Sequence, residues 1–325
     1  MKATWVMMSL LAAIGAAGAR DRAGEVELTF VGDVMVAEKP GELILGGADP
    51  LAGIAQLRDR KRLRIANLEC VVATTGTAQD KPFTFRADPR TIPWLARYFD
   101  GVSVANNHSG DFGKDALAEQ FQLLEAAKLP YFGGGRDLTA AHRPWMVERD
   151  GIRFALLGYA EFKPRSFEAS ASRPGIAWSG EDEQVLRDIH DAREKNQADI
   201  VIPFLHWGWE DEGYASERQK TFARRMIDAG ASMVVGSHPH VTQGAESYRG
   251  KPIIYSLGNF VFNGFDTEAT LTGWMVDVRV GKEGVRSWRT RVVKLNADGV
   301  PTADLNAASP CGDAASDEVR ACSGK

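Results

Sequence analysis

Seven short apolar runs in the chain each end in a polar motif, and this pattern constrains the fold more than any other feature. The runs are residues 26–31, 63–66, 102–105, 154–157, 200–205, 233–235 and 253–257. Runs of this length are typical of buried strands. Segments with helical spacing of apolar residues lie between some of them, at residues 115–128, 181–195 and 217–229. Strands that alternate with helices predict βαβ units and an α/β fold.

The polar motifs place ligand-type side chains where the predicted strands end. Four of the six histidines stand at or just after such an end, and acidic or amide side chains end other strands. In sheets built from βαβ units, the carboxyl ends of the strands line a crevice in which ligands bind. We therefore expect these side chains to meet at one edge of the sheet. They are Asp33, Glu69, Asn107, His108, His206, His238, His240 and Asn259.

This mixture of imidazole and carboxylate groups indicates a divalent metal site, because borderline ions such as Zn²⁺, Mn²⁺ and Fe²⁺ prefer it. His238 and His240 are separated only by Pro239, so in an extended stretch their side chains leave the same face. The alternative for any single histidine is an ordinary loop position. Four of them beside Asp33 and Glu69 favour the metal. We predict one or two divalent ions, with Mn, Zn, Fe or Mg as the candidates.

The two ends of the chain differ from its middle. Lys2, an apolar run over residues 3–14 and small residues at 17–19 predict a secretory signal over residues 1–19. The alternative is an uncleaved membrane anchor. Either interpretation predicts an exported protein, periplasmic or extracellular, free or membrane-associated.

A single domain is predicted over residues 26–294, ending in two antiparallel strands at 270–280 and 285–294. Residues 295–325 are rich in Ala, Asp and Ser and are expected to be irregular; whether Cys311 and Cys322 pair there stays open.

Charge narrows the class of partner. The chain has 39 Lys and Arg residues against 43 Asp and Glu, a net charge of −4. Proteins that neutralise nucleic-acid phosphates usually carry a positive excess. We therefore expect no nucleic-acid partner.

Six motifs follow one another in a specific order. They are Gly32-Asp33, Asn67-Leu68-Glu69, Ala105-Asn106-Asn107-His108, His206-Trp207-Gly208, Gly236-Ser237-His238-Pro239-His240-Val241 and Tyr255-Ser256-Leu257-Gly258-Asn259-Phe260. This ordered set resembles the signature blocks of the CapA family of poly-γ-glutamate capsule synthesis proteins, and residues 81–86 resemble a further block. The resemblance spans roughly residues 27–262. That family is in turn similar to the calcineurin-like metallophosphoesterases, which implies a four-layer α/β sandwich.

The resemblance also implies a role for each matching residue. By this similarity the metal ligands are Asp33, Glu69 in the bridging position, Asn107, His206, His238 and His240, with His108 as the catalytic histidine. Two departures weaken the match to a complete two-metal site. Met35 stands where the superfamily has a histidine, and Glu69 stands where it has an aspartate. One metal ion, or two with the second held weakly, both remain open.

Four further residues are candidates for contact with substrate. Arg86 and Lys81 have the charge to neutralise the carboxylates of an acidic polymer or a phosphate, and the alternative is a solvated loop cation. Tyr159 and Asn259 stand at strand ends and have the groups to hydrogen-bond a substrate; a satisfied loop asparagine is the alternative for Asn259.

Three functions are compatible with these observations. The first is an exported metal-dependent hydrolase that acts on poly-γ-glutamate or another capsule polymer during its synthesis, release or trimming. The second is a non-catalytic component that binds the anionic polymer within a capsule synthesis or export complex. The third is a phosphoesterase, as the superfamily resemblance implies.

Overall fold

The computed structural model describes residues 24–161, 165–314 and 316–324. The predicted signal over residues 1–19 lies outside the described residues. In the described part the strands are β1 Val26–Val34, β2 Leu63–Leu68, β3 Val71–Val72, β4 Arg86–Ala87, β5 Gly101–Ser103, β6 Tyr131–Phe132, β7 Gly134–Gly135, β8 Trp145–Arg149, β9 Ile152–Ala160, β10 Gly175–Ile176, β11 Ile200–His206, β12 Val234–Ser237, β13 Ala245–Tyr248, β14 Lys251–Ile254, β15 Asn259–Val261, β16 Thr272–Gly281, β17 Gly284–Leu295, β18 Pro301–Ala303, β19 Ala308–Asp313 and β20 Arg320–Ser323. The helices are α1 Glu38–Leu45, α2 Ala55–Arg58, α3 Ile92–Tyr98, α4 Gly113–Ala126, α5 Leu138–Ala141, α6 Asp182–Glu194 and α7 Glu217–Asp228, with 3₁₀ turns at Pro89–Thr91 and Arg165–Phe167.

The strands form two large sheets. The first has the order β20-β19-β17-β16-β1-β2-β5-β6, with β15 also paired to β1 and β18 to β17. Its strands β1, β2, β5 and β6 are mutually parallel, whereas β16 runs antiparallel to β1. The second sheet has the order β13-β14-β12-β11-β9-β8, and β14, β12, β11 and β9 are parallel. Each sheet therefore contains the parallel core that the βαβ pattern predicts.

Alternation of side chains along each strand places the sheets face to face. Phe30 of the first sheet meets Phe204 of the second edge to face, with ring centroids 6.1 Å apart. In β9, Phe154 belongs to this central core, while the next residue, Ala155, belongs to the core that includes residues of α6 and α7. Because successive strand residues point to opposite faces, each sheet is apolar on both sides.

The result is four layers. Residues of α3 and α4 share a core with residues of the first sheet, and residues of α6 and α7 share one with the second. The four-layer α/β sandwich implied by the family resemblance is therefore confirmed. Among the described helices, none combines the length and apolarity that a membrane crossing requires.

The expectation of an irregular tail over residues 295–325 is wrong for much of its described part. The strands β18 and β19 pair with β17, and β20 pairs with β19. A disulfide joins Cys311 in β19 to Cys322 in β20. The segment has little strand propensity of its own, so its structure depends on the open edge of β17 and on the disulfide, which are tertiary features.

Candidate metal centre

Both sheets contribute to one cluster of polar side chains. Asp33 lies near the end of β1, Glu69 directly follows β2, and Asn107 follows β5; these three come from the first sheet. The second sheet contributes His206 at the end of β11 and His238 and His240 just after β12. The positions fit the rule that parallel sheets bind ligands at the carboxyl ends of their strands.

Short distances join the members of this cluster. Glu69 Oε1 lies 3.7 Å from His206 Nε2 and 3.7 Å from His240 Nε2. Asp33 Oδ2 lies 3.6 Å from His240 Nδ1, and Asn107 Oδ1 lies 2.8 Å from His206 Nε2. The structure thus brings together the side chains that the sequence predicts at one edge.

Two overlapping triads within the cluster have the geometry of a metal site. Ligand atoms of Glu69, His238 and His240 all lie within 4.8 Å of one another, and the same holds for Asp33, Glu69 and His206. Glu69 belongs to both triads. This is the arrangement expected of a carboxylate shared between two cations, and it serves one cation equally well.

Burial dominates the electrostatics of these residues. It raises the pKa of the Glu69 carboxyl well above its usual range, and the nearby charge of Asp33 raises it further. Burial also lowers the pKa of His206 and of His238 well below the usual histidine range, with neighbouring histidines adding to the effect. Burial therefore favours the neutral form of these two imidazoles, which is the form that binds a metal ion.

One buried oxygen tests whether these residues fit a metal ion. Among the residues that the structure describes, Glu69 Oε1 has no hydrogen-bond partner, although Glu69 is fully buried. A buried acceptor left without a donor costs about 1–3 kcal/mol. A divalent cation supplies the missing partner, and the nitrogen and oxygen donors around it suit Zn²⁺, Mn²⁺ or Fe²⁺. The donor set therefore fits.

His108 lies beside the cluster in an arrangement that fixes its ring. Its Nδ1 is 2.8 Å from Asp111 Oδ2, so in the neutral ring Nδ1 carries the proton and donates a hydrogen bond to this carboxylate. Asp111 is fully buried, accepts a hydrogen bond from Phe85 N at 2.6 Å and forms an ion pair with Lys81. The Phe85 ring packs against the His108 imidazole at 4.5 Å between centroids. This tautomer leaves Nε2 of His108 as the atom available for proton transfer.

Two of the four predicted substrate residues lie at the centre. Lys81 Nζ donates to the backbone oxygen of Asn107 at 2.9 Å, which places its charge beside His108. Asn259 Oδ1 is 2.8 Å from His240 Nδ1, and its Nδ2 donates to Thr270 O at 3.0 Å. Asn259 therefore orients the His240 ring so that Nε2 faces Glu69.

The other two lie elsewhere. Tyr159 is fully buried, and its hydroxyl donates to Asp188 Oδ2 at 2.9 Å, outside the cluster. Arg86 donates to the backbone oxygens of Thr75 and Gly76, both at 3.2 Å, and its guanidinium stacks on the Phe112 ring. Both side chains hydrogen-bond within the protein and lie outside the cluster, so their contact with substrate stays a prediction.

Met35, which replaces the histidine of the superfamily motif, supplies no nitrogen ligand. Its side chain is fully buried in the core between the first sheet and its helices, and its thioether accepts from Ala37 N at 3.2 Å. No imidazole is available at this position.

Residue patterns alone did not single out Asn67, Asn106 and Asp111. Asn67 hydrogen-bonds both Asp33 and Glu69, Asn106 hydrogen-bonds Asn67, and Asp111 holds His108. A signal exists for one of them. Asn67 stands two residues before Glu69, a spacing that puts both side chains on one face of a strand.

Comparison with known proteins gives a consistent result. A sequence model of the family described as "Bacterial capsule synthesis protein PGA_cap" matches residues 27–264. The "Capsule biosynthesis protein CapA" of Bacillus anthracis is 29% identical over 284 residues, which cover 80% of this chain and 65% of the relative. The "PGA biosynthesis protein CapA" of Bacillus subtilis (strain 168) is 36% identical over 166 residues, 51% of this chain and 43% of the relative. The alignments thus span less than two thirds of the length of either relative.

A solved structure shows the same fold. The sulfate thiohydrolase SoxB of Thermus thermophilus, in complex with glycerol, matches with a TM-score of 0.50 at 15% identity. The match covers 86% of this chain and 58% of that one. At this identity the likeness concerns the fold alone, and it agrees with the four-layer architecture.

Proposed function

The chain belongs to the bacterial capsule synthesis protein family PGA_cap, and from this premise we propose that it is an exported metal-dependent hydrolase. Its substrate is poly-γ-glutamate or another capsule polymer, which it cleaves during synthesis, release or trimming. The observation that carries this proposal is the buried cluster around Glu69 Oε1, with His108 beside it.

The proposed roles follow from the contacts. The side chains that would hold one or two divalent ions are Asp33, Glu69, Asn107, His206, His238 and His240. When bound, such an ion supplies a water of lowered pKa and polarises the oxygen of the scissile bond.

The proton chemistry belongs to His108. As an imidazolium, with Nδ1–H held by Asp111, the ring would donate its Nε2 proton to the leaving group or stabilise the charge that develops there, and it would be left as the neutral Nδ1–H tautomer. Lys81 adds a positive charge at this side of the centre, and about a quarter of its side chain is exposed. A cation there favours a substrate that carries carboxylates.

Export is supported by the disulfide. Bonds such as Cys311–Cys322 persist in oxidising compartments and are rare in reducing ones. The proposed setting is therefore the periplasm or the cell exterior, with a capsule synthesis or export complex as the partner.

Non-catalytic polymer binding is the second candidate, and a specific observation favours it. Met35 removes a nitrogen ligand that the superfamily motif supplies, which weakens one of two possible ion sites. A phosphoesterase remains the third candidate, on the resemblance of the motifs.

One set of assays separates the three. The protein without residues 1–19 is treated with a chelator and then given Mn²⁺ or Zn²⁺, with poly-γ-glutamate and a chromogenic phosphodiester as alternative substrates. Metal-dependent cleavage of the polymer supports the proposal, and metal-dependent cleavage of the phosphodiester alone supports a phosphoesterase. Polymer binding without cleavage under any metal supports the second candidate. The variant His142→Ala, which changes a histidine outside the cluster, serves as the control for indirect effects.

A further inference from the structure

We propose that Asn67 is a positioning residue that selects which oxygen of Asp33 and which oxygen of Glu69 faces the metal ions. This inference builds on the proposed metal binding and assigns a function to a side chain that is not itself one of the predicted ligands. It concerns the way in which the two carboxylates are presented.

The contacts of Asn67 divide the oxygens of each carboxylate. Its Nδ2 donates to Asp33 Oδ1 at 2.8 Å and to Glu69 Oε2 at 3.1 Å. The same Nδ2 also lies 3.3 Å from His206 Nδ1, but an amide nitrogen has two hydrogens, and the two shorter contacts to the carboxyl groups use both of them. The remaining oxygens are Asp33 Oδ2, which accepts a hydrogen bond from His238 N at 3.4 Å, and Glu69 Oε1.

Those remaining oxygens are the ones that face the histidines. Asp33 Oδ2 lies 3.6 Å from His240 Nδ1, and Glu69 Oε1 lies 3.7 Å from both His206 Nε2 and His240 Nε2. Each carboxylate therefore presents one oxygen to Asn67 and the other to the imidazoles. The oxygen that accepts from Asn67 fixes the rotation of each carboxyl group, so that its other oxygen is the one that would meet a cation.

A neighbouring amide fixes the orientation of Asn67. Asn106 Nδ2 donates to Asn67 Oδ1 at 3.1 Å and to Leu68 O at 2.8 Å. If the Asn67 amide were turned over, its nitrogen would face another donor and its oxygen would face two carboxylates. Only the observed orientation satisfies all of these groups. Asn67 and Asn106 are both buried, so water does not offer an alternative partner.

The same amide pair reaches the proton-transfer residue. Asn106 Oδ1 accepts from His108 N at 3.1 Å and from Ser109 Oγ at 3.0 Å. Hydrogen bonds thus run without a break from Asp33 and Glu69 through Asn67 and Asn106 to the backbone of His108. Asn67 thus holds the two acidic side chains in place and, through Asn106, connects them to the loop that carries His108.

The first test measures metal binding. Apo protein carrying Asn67→Ala is titrated with Mn²⁺ by calorimetry, and its Mn²⁺ electron paramagnetic resonance spectrum is compared with that of the wild type. Loss of a side chain that orients metal ligands typically lowers affinity by about 10- to 100-fold, so we expect a fall in this range and an altered spectrum. The matched control is Gln120→Ala, which removes another buried amide; its oxygen accepts from Val72 N, and within the described residues its nitrogen donates to no carboxylate. It is expected to keep wild-type affinity and spectrum.

The second test does not depend on metal. Crystal structures of apo wild type and apo Asn67→Ala are compared at Asp33 and Glu69. We expect both carboxyl groups to rotate away from their wild-type positions in the variant, because each loses the Asn67 hydrogen bond that fixes its orientation. Unchanged positions of both groups would overturn the proposal for Asn67, whether or not metal binds. A wild-type protein that binds no divalent ion, with displaced carboxyls in the variant, would instead overturn the proposed hydrolase and leave the positioning role in place.

Discussion

Glu69 is a fully buried carboxyl group with a second carboxyl, Asp33, beside it. Burial disfavours the charged form of such a group, and the like charge of its neighbour disfavours it further. Ionisation of both groups therefore requires compensation from nearby positive charge. The donors of Asn67 offset part of this cost, and a cation between the carboxylates and the imidazoles offsets more. Because ionisation of the buried Glu69 carboxyl is unfavourable without a nearby cation, this residue is the strongest indication of a metal site.

The first prediction concerns His206→Ala. Its Nε2 lies 2.8 Å from Asn107 Oδ1 and 3.7 Å from Glu69 Oε1, so the substitution removes a ligand from the middle of the cluster. We expect Mn²⁺ affinity to fall at least about tenfold while the chain stays folded. Calorimetric titration and circular dichroism give the two readouts. In the control His142→Ala, the lost histidine is hydrogen-bonded to Asp188 outside the cluster, and affinity should not change. Equal affinity in both variants would remove His206 from the site.

The second prediction concerns Asp111→Asn. An asparagine is able to donate to His108 Nδ1, which favours the tautomer with the proton on Nε2 and removes the charge that supports a protonated ring. We expect turnover to fall about 100-fold, within the usual range for general acid–base catalysis, with metal content unchanged. Steady-state kinetics and metal analysis of the same samples check both parts. The reference variant is His108→Ala, which should retain metal and lose turnover completely, so it gives the largest effect with which the loss in Asp111→Asn is compared. Full activity in Asp111→Asn would show that His108 needs no partner.

At this scale the sequence predicts positions better than contacts. The strand-end pattern and the family resemblance together bring Asp33, Glu69 and His206 to one edge without any coordinates. The hydrogen-bond partner of Tyr159 is out of reach of that pattern, because Asp188 comes from α6, nearly thirty residues further along the chain. A strand-end position predicts where the backbone of a residue lies, whereas the tertiary packing determines which groups its side chain contacts.

At the scale of elements, the loop after β5 depends on a close contact with a distant turn. Phe167, in the 3₁₀ turn Arg165–Phe167, packs directly over Gly110, two residues beyond His108. Lys81 Nζ lies 5.7 Å from the centroid of the same Phe167 ring. The turn therefore covers the loop that carries His108, and the absence of a side chain at Gly110 is what allows this contact.

The third prediction tests that contact with Gly110→Ala. The added Cβ would lie 2.1 Å from Phe167 Cδ1, so the ring or the loop must move. We expect a loss of about 1–3 kcal/mol in the free energy of unfolding, as for other overpacked sites, together with reduced turnover. Urea unfolding measures the first effect. The control is Gly213→Ala, where a Cβ meets no atom within 4 Å and the change should stay within about 0.5 kcal/mol. Equal stability of the two variants would mean that Phe167 moves aside freely.

Elements with their own periodicity were predictable, and elements made by pairing were not. The helix expected at residues 115–128 is α4, Gly113–Ala126, and that expected at 217–229 is α7, Glu217–Asp228. The strands of the tail carry no such signal. The edge of β17 and the Cys311–Cys322 bond define them, and neither feature is visible in a local stretch of sequence.

At the scale of the whole molecule, βαβ periodicity predicts parallel strands but not their division into two sheets. In the first sheet β1 lies between β2, which is parallel to it, and β16, which is antiparallel and more than 200 residues away in sequence. Pairing over that separation depends on the complete core, so here the four-layer arrangement came from the family resemblance. The consequence for the site is that its candidate ligands divide between the sheets, with Asp33, Glu69 and Asn107 on one and His206, His238 and His240 on the other.

The fourth prediction follows from that division. Because a metal ion held by both sheets links the two halves of the sandwich, its binding should stabilise the whole chain in one cooperative step. At a free Mn²⁺ concentration 100 times the dissociation constant, we expect about 2.7 kcal/mol of added stability, which chelation should abolish. Calorimetric melting with and without Mn²⁺ measures it, and His206→Ala, which removes a ligand of the second sheet, should lose most of the shift. If that variant keeps the full shift, the stabilising ion binds elsewhere. A split transition in which only part of the molecule responds would show that the ion is held by one sheet alone.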